Sequence, residues 1–266
     1  LEFVGSASLN EAPEAVGREI RRMLGLNEGW ASQINTWTAA VGEFRHAIED
    51  LGVMAVVNGV VGNNTSWKLD VTEFRGFALS DPYAPLIFVN GSDAKSAQMF
   101  TLAHELAHIW LGESALSDAS AVPMKLGKTE TWCNQVAAEC LAPRNEIEGL
   151  WQQLRHEEDP PARLARHFKV SPIVAARRLL DLEYWTRDHF FDFYNAYIEE
   201  EHARAARRKG GGDFYNNQNT RMGELFATRV LNAAMEGRMG FKEAYDLTGL
   251  KGGTFEKYAR KLGYDL

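Results

Sequence analysis

The sequence predicts an α+β fold, in which a small mixed sheet packs on helices and a mostly α-helical C-terminal half follows. Three short apolar stretches, Val53–Val57, Phe74–Leu79 and Leu86–Asn90, are bounded by turn residues and therefore predict strands. Helical patterns come before and after this group of strands instead of alternating with them. Helices and strands that are segregated along the chain are typical of the α+β class.

Two helices are predicted before the strands and a longer one after them. Apolar residues recur at three- and four-residue intervals from Glu11 to Leu24 and again from Ile34 to Leu51. After the third strand, an apolar run that includes Phe100–Trp110 predicts a buried helix. Either Ser92 or Asp93 could cap the N-terminus of that helix.

The bulk composition is that of a globular protein. Of the 266 residues, 45% are hydrophobic and 24% are charged, and no apolar run reaches the length of a membrane span. The net charge of −7 argues against a nucleic-acid surface over the whole chain but is compatible with a local one. On one helix, Cys133 and Cys140 would lie about 10 Å apart, too far for a disulfide, as is typical of a cytoplasmic protein.

The buried helix contains the motif His104-Glu105-Leu-Ala-His108. Residues four positions apart lie one above the other on a helix, so both imidazoles can reach one metal ion. Glu105 is better placed to accept a proton from water at the metal than to act as a ligand. The alternative is a core helix with two hydrogen-bonded histidines, but burying these three side chains without partners would cost free energy.

A catalytic zinc site needs a third protein ligand. The stretch from Lys128 to Pro143 predicts a helix with two candidate carboxylates, Glu130 and Glu139, which lie about 180° apart around the helix. Only one of them can face the metal. We favour Glu130, because the Asn134 amide on the same face can hold the free ring nitrogen of a ligating His or orient a carboxylate. Glu139 stays the alternative metal ligand.

Taken together, these motifs resemble the ImmA/IrrE family of bacterial and phage metallopeptidases. The resemblance rests on His104-Glu-Leu-Ala-His108, on Glu130-Thr-Trp-Cys-Asn134 with the small-residue run ending at Pro143, and on the stretches Arg75-Gly-Phe and Ala84–Asn90. It extends from about residue 35 to residue 180. The sequence departs from the family at Cys140 and Ala142, where Leu and Met are common, but these are packing positions.

The resemblance implies a zinc-dependent, site-specific endopeptidase in which His104, His108 and Glu130 hold Zn²⁺ and Glu105 is the catalytic proton carrier. Mn²⁺ or Fe²⁺ could replace zinc, because imidazole and carboxylate accept all three metals. The implied substrate is an Xre-type helix-turn-helix repressor, whose cleavage would release stress, phage or mobile-element genes. The alternative is a non-proteolytic antitoxin or transcription regulator that uses the fold as a binding module.

Two further features of the site are expected. In many zinc peptidases the strand before the motif helix forms the sheet edge that binds an extended peptide, so Leu86–Val89 could be that edge, with a plain core strand as the alternative. A donor to the oxyanion is also needed. Five side chains are available, and no spacing selects one of them: Tyr83, His156, His167, Tyr184 and His189.

The chain divides into four predicted segments. Residues 1–30 form an N-terminal helix that could be the remnant of a longer chain, because the chain begins with Leu1. Residues 31–157 form the zinc peptidase domain, residues 158–209 a helix-turn-helix-like module with a long helix, and residues 210–266 an α-helical accessory region.

Residues 160–180 have a helix-turn-helix rhythm, and residues 241–260 repeat it. In the first of these, Arg177 and Arg178 could contact DNA phosphates, although a helical pair used only for packing is equally compatible. The expected partner is a protein substrate, and DNA contact through the first module is a second expectation. The chain could also form a dimer, and no membrane association is expected.

Overall fold

The computed structural model describes residues 1–61, 64, 66–117, 127–205 and 221–264 and confirms the α+β class. The strands are β1 Met54–Asn58, β2 Gly76–Leu79, β3 Leu86–Asn90 and β4 Ala115–Ser117. The helices are α1 Pro13–Met23, α2 Trp37–Asp50, α3 Lys95–Leu111, α4 Lys128–Leu141, α5 Arg144–Leu154, α6 Pro160–Phe168, α7 Pro172–Asp181, α8 Arg187–Ala205, α9 Glu224–Met235, α10 Phe241–Thr248 and α11 Gly253–Lys261.

The four strands form one mixed sheet in the order β1-β3-β2-β4. β3 pairs in parallel with β1 and antiparallel with β2, and β2 pairs antiparallel with β4. Of the two expectations for Leu86–Val89, the core strand is confirmed and the sheet edge is wrong, because both sides of β3 are already hydrogen-bonded to neighbouring strands. The edge next to α3 is β4, a three-residue strand too short to give an alternating pattern in the sequence.

The C-terminal end of α3 is hydrogen-bonded to the N-terminal segment, whereas its N-terminal end has no side-chain cap. At its C-terminus, the N–H groups of Gly5 and Ala7 donate to the carbonyls of Ile109 and Trp110 at 3.1 and 2.9 Å. At its N-terminus, Ala94 is the capping position and makes no side-chain bond, so the predicted cap by Ser92 or Asp93 is wrong. The two bonds from Gly5 and Ala7 therefore hold the C-terminal end of the motif helix in place.

The N-terminal helix sets the position of α4. A Cβ atom added at Gly17 of α1 would lie 2.8 Å from both the Cβ of Glu139 and the carbonyl oxygen of Val136 on α4. Only glycine allows the two helices to approach so closely. On its other side α4 packs against α3, so α4 is held between α1 and the motif helix.

The hydrophobic cores group the chain differently from the four predicted segments. One core includes residues from Phe3 to Leu182, so that the N-terminal helix and the α6–α7 module share it with the sheet. A second core joins α9, α10 and α11. The predicted boundary at residues 209 and 210 lies outside the described residues. Within the described part of the chain, no helix is both long and apolar enough to cross a membrane.

A hydrogen bond to a buried ion pair of α2 connects the second core to the first. The carboxylate of Glu49 on α2 pairs with Arg45 and accepts a hydrogen bond from the N–H of Leu225, in the first turn of α9, at 3.2 Å. Gly223 brings the backbone close to β1, where an added Cβ would lie 3.3 Å from the carbonyl oxygen of Ala55. Burial raises the pKa of Glu49, although the Arg45 charge opposes this effect.

We therefore expect Glu49→Ala to loosen the attachment of α9 to the sheet. The substitution leaves the Arg45 guanidinium, 3% exposed, without its partner and removes the acceptor for the Leu225 N–H. Breaking such a buried pair costs about 3–5 kcal/mol. Hydrogen exchange of the α9 amides measures the effect, with Asp50→Ala on the same helix, an exposed position, as the control. Unchanged α9 protection in Glu49→Ala would show that the contact does not hold the helix.

Candidate metal centre

Helix α3 places three polar side chains of the motif inside the protein. His104 is 6% exposed, and Glu105 and His108 are fully buried. The rest of the helix surface is covered by apolar contacts with the sheet and neighbouring helices, which include Leu102, Leu106 and Ile109. Buried imidazole and carboxylate groups need partners, so the neighbouring elements must supply them.

Helix α4 supplies those partners from its first two turns. The two Glu130 carboxylate oxygens lie 3.1 Å from Nε2 of His104 and 3.3 Å from Nε2 of His108. The two Nε2 atoms are themselves 3.2 Å apart. All ligand-type atoms of this group lie within 4.8 Å of one another. Glu130 remains 31% exposed, so solvent reaches the group from its side.

This arrangement suits a metal ion. Two ring nitrogens that face each other across a hydrogen-bond distance require a proton or a cation between them, because two facing lone pairs would repel each other. Two imidazoles and one carboxylate are the donor set of a catalytic zinc site with one position left for water. In the described part of the chain, neither cysteine belongs to this group; both are free and buried.

The electrostatics of the group reflect the mutual attraction of its members. Hydrogen bonds from His104 and His108 hold the pKa of Glu130 far below its usual range. Burial opposes the charged form of His104, but the hydrogen bond to Glu130 and the negative charges of Glu105 and Glu130 outweigh it and raise the pKa of His104. The site is therefore built to hold positive charge.

Asn134 lies one turn after Glu130 and contacts the far side of the His104 ring. Its Oδ1 is 2.9 Å from Nδ1 of His104. If this oxygen accepts, Nδ1 carries the ring proton and Nε2 is left with a lone pair that faces the site. Among the described residues, Nδ1 of His108 is buried and has no hydrogen-bond partner. Of the two ring nitrogens that point away from the site, a side chain therefore holds that of His104 and not that of His108.

The sequence reasoning missed one residue beside Glu105. A Cβ added at Gly76, the first residue of β2, would lie 3.1 Å from Oε1 of Glu105, 2.6 Å from Cγ2 of Thr101 and 2.9 Å from the carbonyl oxygen of Phe88. Glycine in a strand can indicate such a close approach. Gly76 thus leaves the space that the Glu105 carboxylate occupies.

Glu139, the alternative metal ligand, lies on the opposite face of α4. It is 1% exposed and pairs with the buried guanidinium of Arg178 on α7. It also lies 3.6 Å from Arg18 and accepts from the Arg144 N–H at 3.3 Å. Arg178 in turn donates to the carbonyl of Ala142 at 3.0 Å. These contacts occupy Glu139 and also remove Arg178 from the set of side chains that could contact DNA.

The five candidate oxyanion donors lie on other elements. Tyr83 is 87% exposed in the loop between β2 and β3. The other four lie on or beside α5 to α8: His156, His167, Tyr184 and His189. None of the three histidines belongs to the convergent group of His104, His108 and Glu130. The structure therefore selects no oxyanion donor from this set.

Comparison with known families assigns two parts of the chain. Residues 65–180 match the family model Peptidase_M78, described as the IrrE N-terminal-like domain. Residues 222–261, which form α9 to α11, match a model described only as a domain of unknown function, DUF8813. No curated protein matches the chain. The first match includes α3 and α4 with the convergent group, and it confirms the predicted resemblance to the ImmA/IrrE family over residues 65–180.

Proposed function

We propose that this protein is a zinc-dependent, site-specific endopeptidase that cleaves an Xre-type helix-turn-helix repressor. The observation that supports this most directly is the convergence of His104, His108 and Glu130 beside the buried Glu105. The family match supports a metallopeptidase-type function. The repressor substrate rests on the family resemblance of the motifs.

The three ligand side chains would hold the metal and the rest of the site would carry protons. A bound Zn²⁺ supplies a Lewis acid that makes water more acidic and polarises a peptide carbonyl. His104 offers Nε2 because Asn134 contacts its Nδ1, and Glu130 offers a carboxylate whose pKa is already low. Mn²⁺ and Fe²⁺ remain compatible with the same donors.

Glu105 would act as the general base and then as the general acid. Its carboxylate is buried next to the ligands, on the side of the site that Gly76 keeps open. From there it would accept a proton from the attacking water and deliver it to the leaving amine. Burial shields this proton from bulk solvent, so the transfer stays within the site.

The substrate would bind as an extended strand along β4. In the described residues β4 pairs with β2 only, which leaves its other edge for a peptide. Ser117 of β4 is in register with Gly76, the residue that abuts Glu105. A peptide added at this edge would therefore run one strand beyond β2, level with the residue that abuts Glu105. This edge replaces the predicted one at Leu86–Val89.

Cleavage of a repressor would release the genes that it represses, and we place this activity in the cytoplasm. Both cysteines are unpaired and buried, as is typical of a reducing compartment. The stress, phage or mobile-element genes under such a repressor follow from the family resemblance only.

Metal binding should depend on Glu130 and not on Glu139. Glu130→Ala removes one of three ligands, so we expect native mass spectrometry to show one zinc per wild-type chain and little or none in the variant. Glu139→Ala should keep the zinc. It should lower the free energy of unfolding by about 3–5 kcal/mol, because the Arg178 guanidinium loses its buried partner. Loss of zinc in Glu139→Ala alone, with the fold intact, would reverse the assignment.

Glu105→Gln should abolish cleavage while the zinc content stays that of the wild type. The amide has nearly the shape of the carboxylate but cannot accept the proton, and general-base catalysis contributes about 10²–10⁴-fold. The assay incubates the purified protein with an Xre-type repressor and separates the fragments, and an unrelated unfolded protein tests for general proteolysis. Normal gene induction by the Glu105→Gln variant would instead favour the non-proteolytic regulator.

Gly76→Ala should lower activity without removing the metal. The added methyl group meets Thr101 and the Phe88 carbonyl and must displace the Glu105 carboxylate. Gly42→Ala on α2 is the matched control, because an added Cβ there meets nothing within 4 Å. It should keep full activity and raise stability slightly, by about 0.5–1 kcal/mol. Equal activity of the two variants would show that Glu105 does not depend on the space at Gly76.

A further inference from the structure

The three helices α9 to α11 have the internal organisation of a helix-turn-helix unit. α10 and α11 are joined by a four-residue turn, Gly249–Gly252, which begins with Gly249 in the left-handed conformation at φ 64°. Such a short turn containing Gly is typical of the motif. The eight-residue α10 and nine-residue α11 are also of the usual length.

The buried residues of α10 and α11 form one core with those of α9. The inward-facing residues are Ala244, Thr248, Leu250, Phe255 and Tyr258, each of them at most 6% exposed. The ring of Phe255 on α11 lies 4.9 Å from that of Tyr245 on α10. These residues face the core that they form with α9, so the opposite side of α11 is exposed to solvent.

The exposed side of α11 and the turn before it carry half of the Lys and Arg side chains of this unit. Residues 221–264 contain eight Lys and Arg against five Asp and Glu, in a chain whose net charge is −7. In the described residues from Gly249 to Tyr264, the exposed basic residues are Lys251, Lys257, Arg260 and Lys261, and Glu256 is the one acidic side chain. Glu256 lies 3.8 Å from Arg260, one turn away on the same face.

The other helix-turn-helix-like module does not offer a comparable surface. On α7, the second helix of that module, Arg177 is the single exposed residue. Its guanidinium lies 2.8 Å from the carboxylate of Asp181. Arg178 is 4% exposed and pairs with Glu139. By contrast, five of the nine residues of α11 are exposed. The second helix of a DNA-binding helix-turn-helix must be free to enter the major groove.

We propose that the α9–α11 unit binds double-stranded DNA, with α11 in the major groove. Lys251, Lys257 and Arg260 would contact phosphates or base edges, and Glu256 has the chemistry to accept from the amino group of cytosine. The hydrogen bond from the N–H of Leu225 to the carboxylate of Glu49 attaches this unit to α2, outside the helices that carry the candidate metal centre. DNA binding is independent of the proposed peptidase activity, and its failure would leave that activity untouched.

The test uses the full chain and a 30-base-pair duplex of arbitrary sequence, followed by fluorescence anisotropy between about 50 and 200 mM salt. We expect binding that weakens as salt rises. The double variant Lys257→Gln with Arg260→Gln should bind at least about tenfold more weakly at 100 mM salt, and its log–log salt slope should fall by about two. A metal chelator should change neither quantity, since no residue of α11 belongs to the metal centre.

The matched control is Arg238→Gln with Lys242→Gln, which removes the same charge from exposed positions outside α11. It should change the dissociation constant by less than about threefold. Thermal melting by circular dichroism checks that both variants are folded. Three results would overturn the proposal: no binding at 50 mM salt, equal weakening in both double variants, or a larger loss in Arg177→Gln than in the α11 variant.

Discussion

The structure depends on the burial of His104, Glu105 and His108 in a helix that is otherwise apolar. Three polar side chains inside a core are tolerated only if neighbouring elements give them partners or space. Helix α4 gives the two histidines a carboxylate and an amide, and the first residue of β2 gives Glu105 room because it has no side chain. The positions of α4 and β2 around α3 are therefore required both for a stable core and for the chemistry of the site.

The two faces of α4 have different roles: one contributes to the metal centre and the other links α4 to neighbouring helices. Glu130 and Glu139 are of one residue type and lie nine positions apart, on opposite sides of the helix. One meets two imidazoles at a surface that solvent reaches, and the other meets a guanidinium where solvent is excluded. A buried carboxylate that pairs with Arg is a structural link between helices, whereas a carboxylate beside two ring nitrogens can bind a cation.

Much of this arrangement could be predicted from the sequence, because periodicity and spacing are local. The strands β1, β2 and β3, the motif helix and the helix with Glu130 and Asn134 all follow from such patterns. The internal position of β3, the short strand β4 and the partner of Glu139 depend on contacts between residues distant in sequence. Gly76 was visible as a glycine in a strand, but only the fold shows that its neighbour is the Glu105 carboxylate.

The matched family segment and the folding unit do not coincide. The match begins at residue 65, after α1, α2 and β1. A fragment limited to residues 65–180 would lack the parallel partner of β3 and so expose an unpaired strand edge, which promotes aggregation. It would also lack the helix that packs on α4 through Gly17 and the backbone donors that end α3. A chain that displays the metal centre in this form thus includes residues more than 110 positions before Glu130, which lie outside the matched family segment.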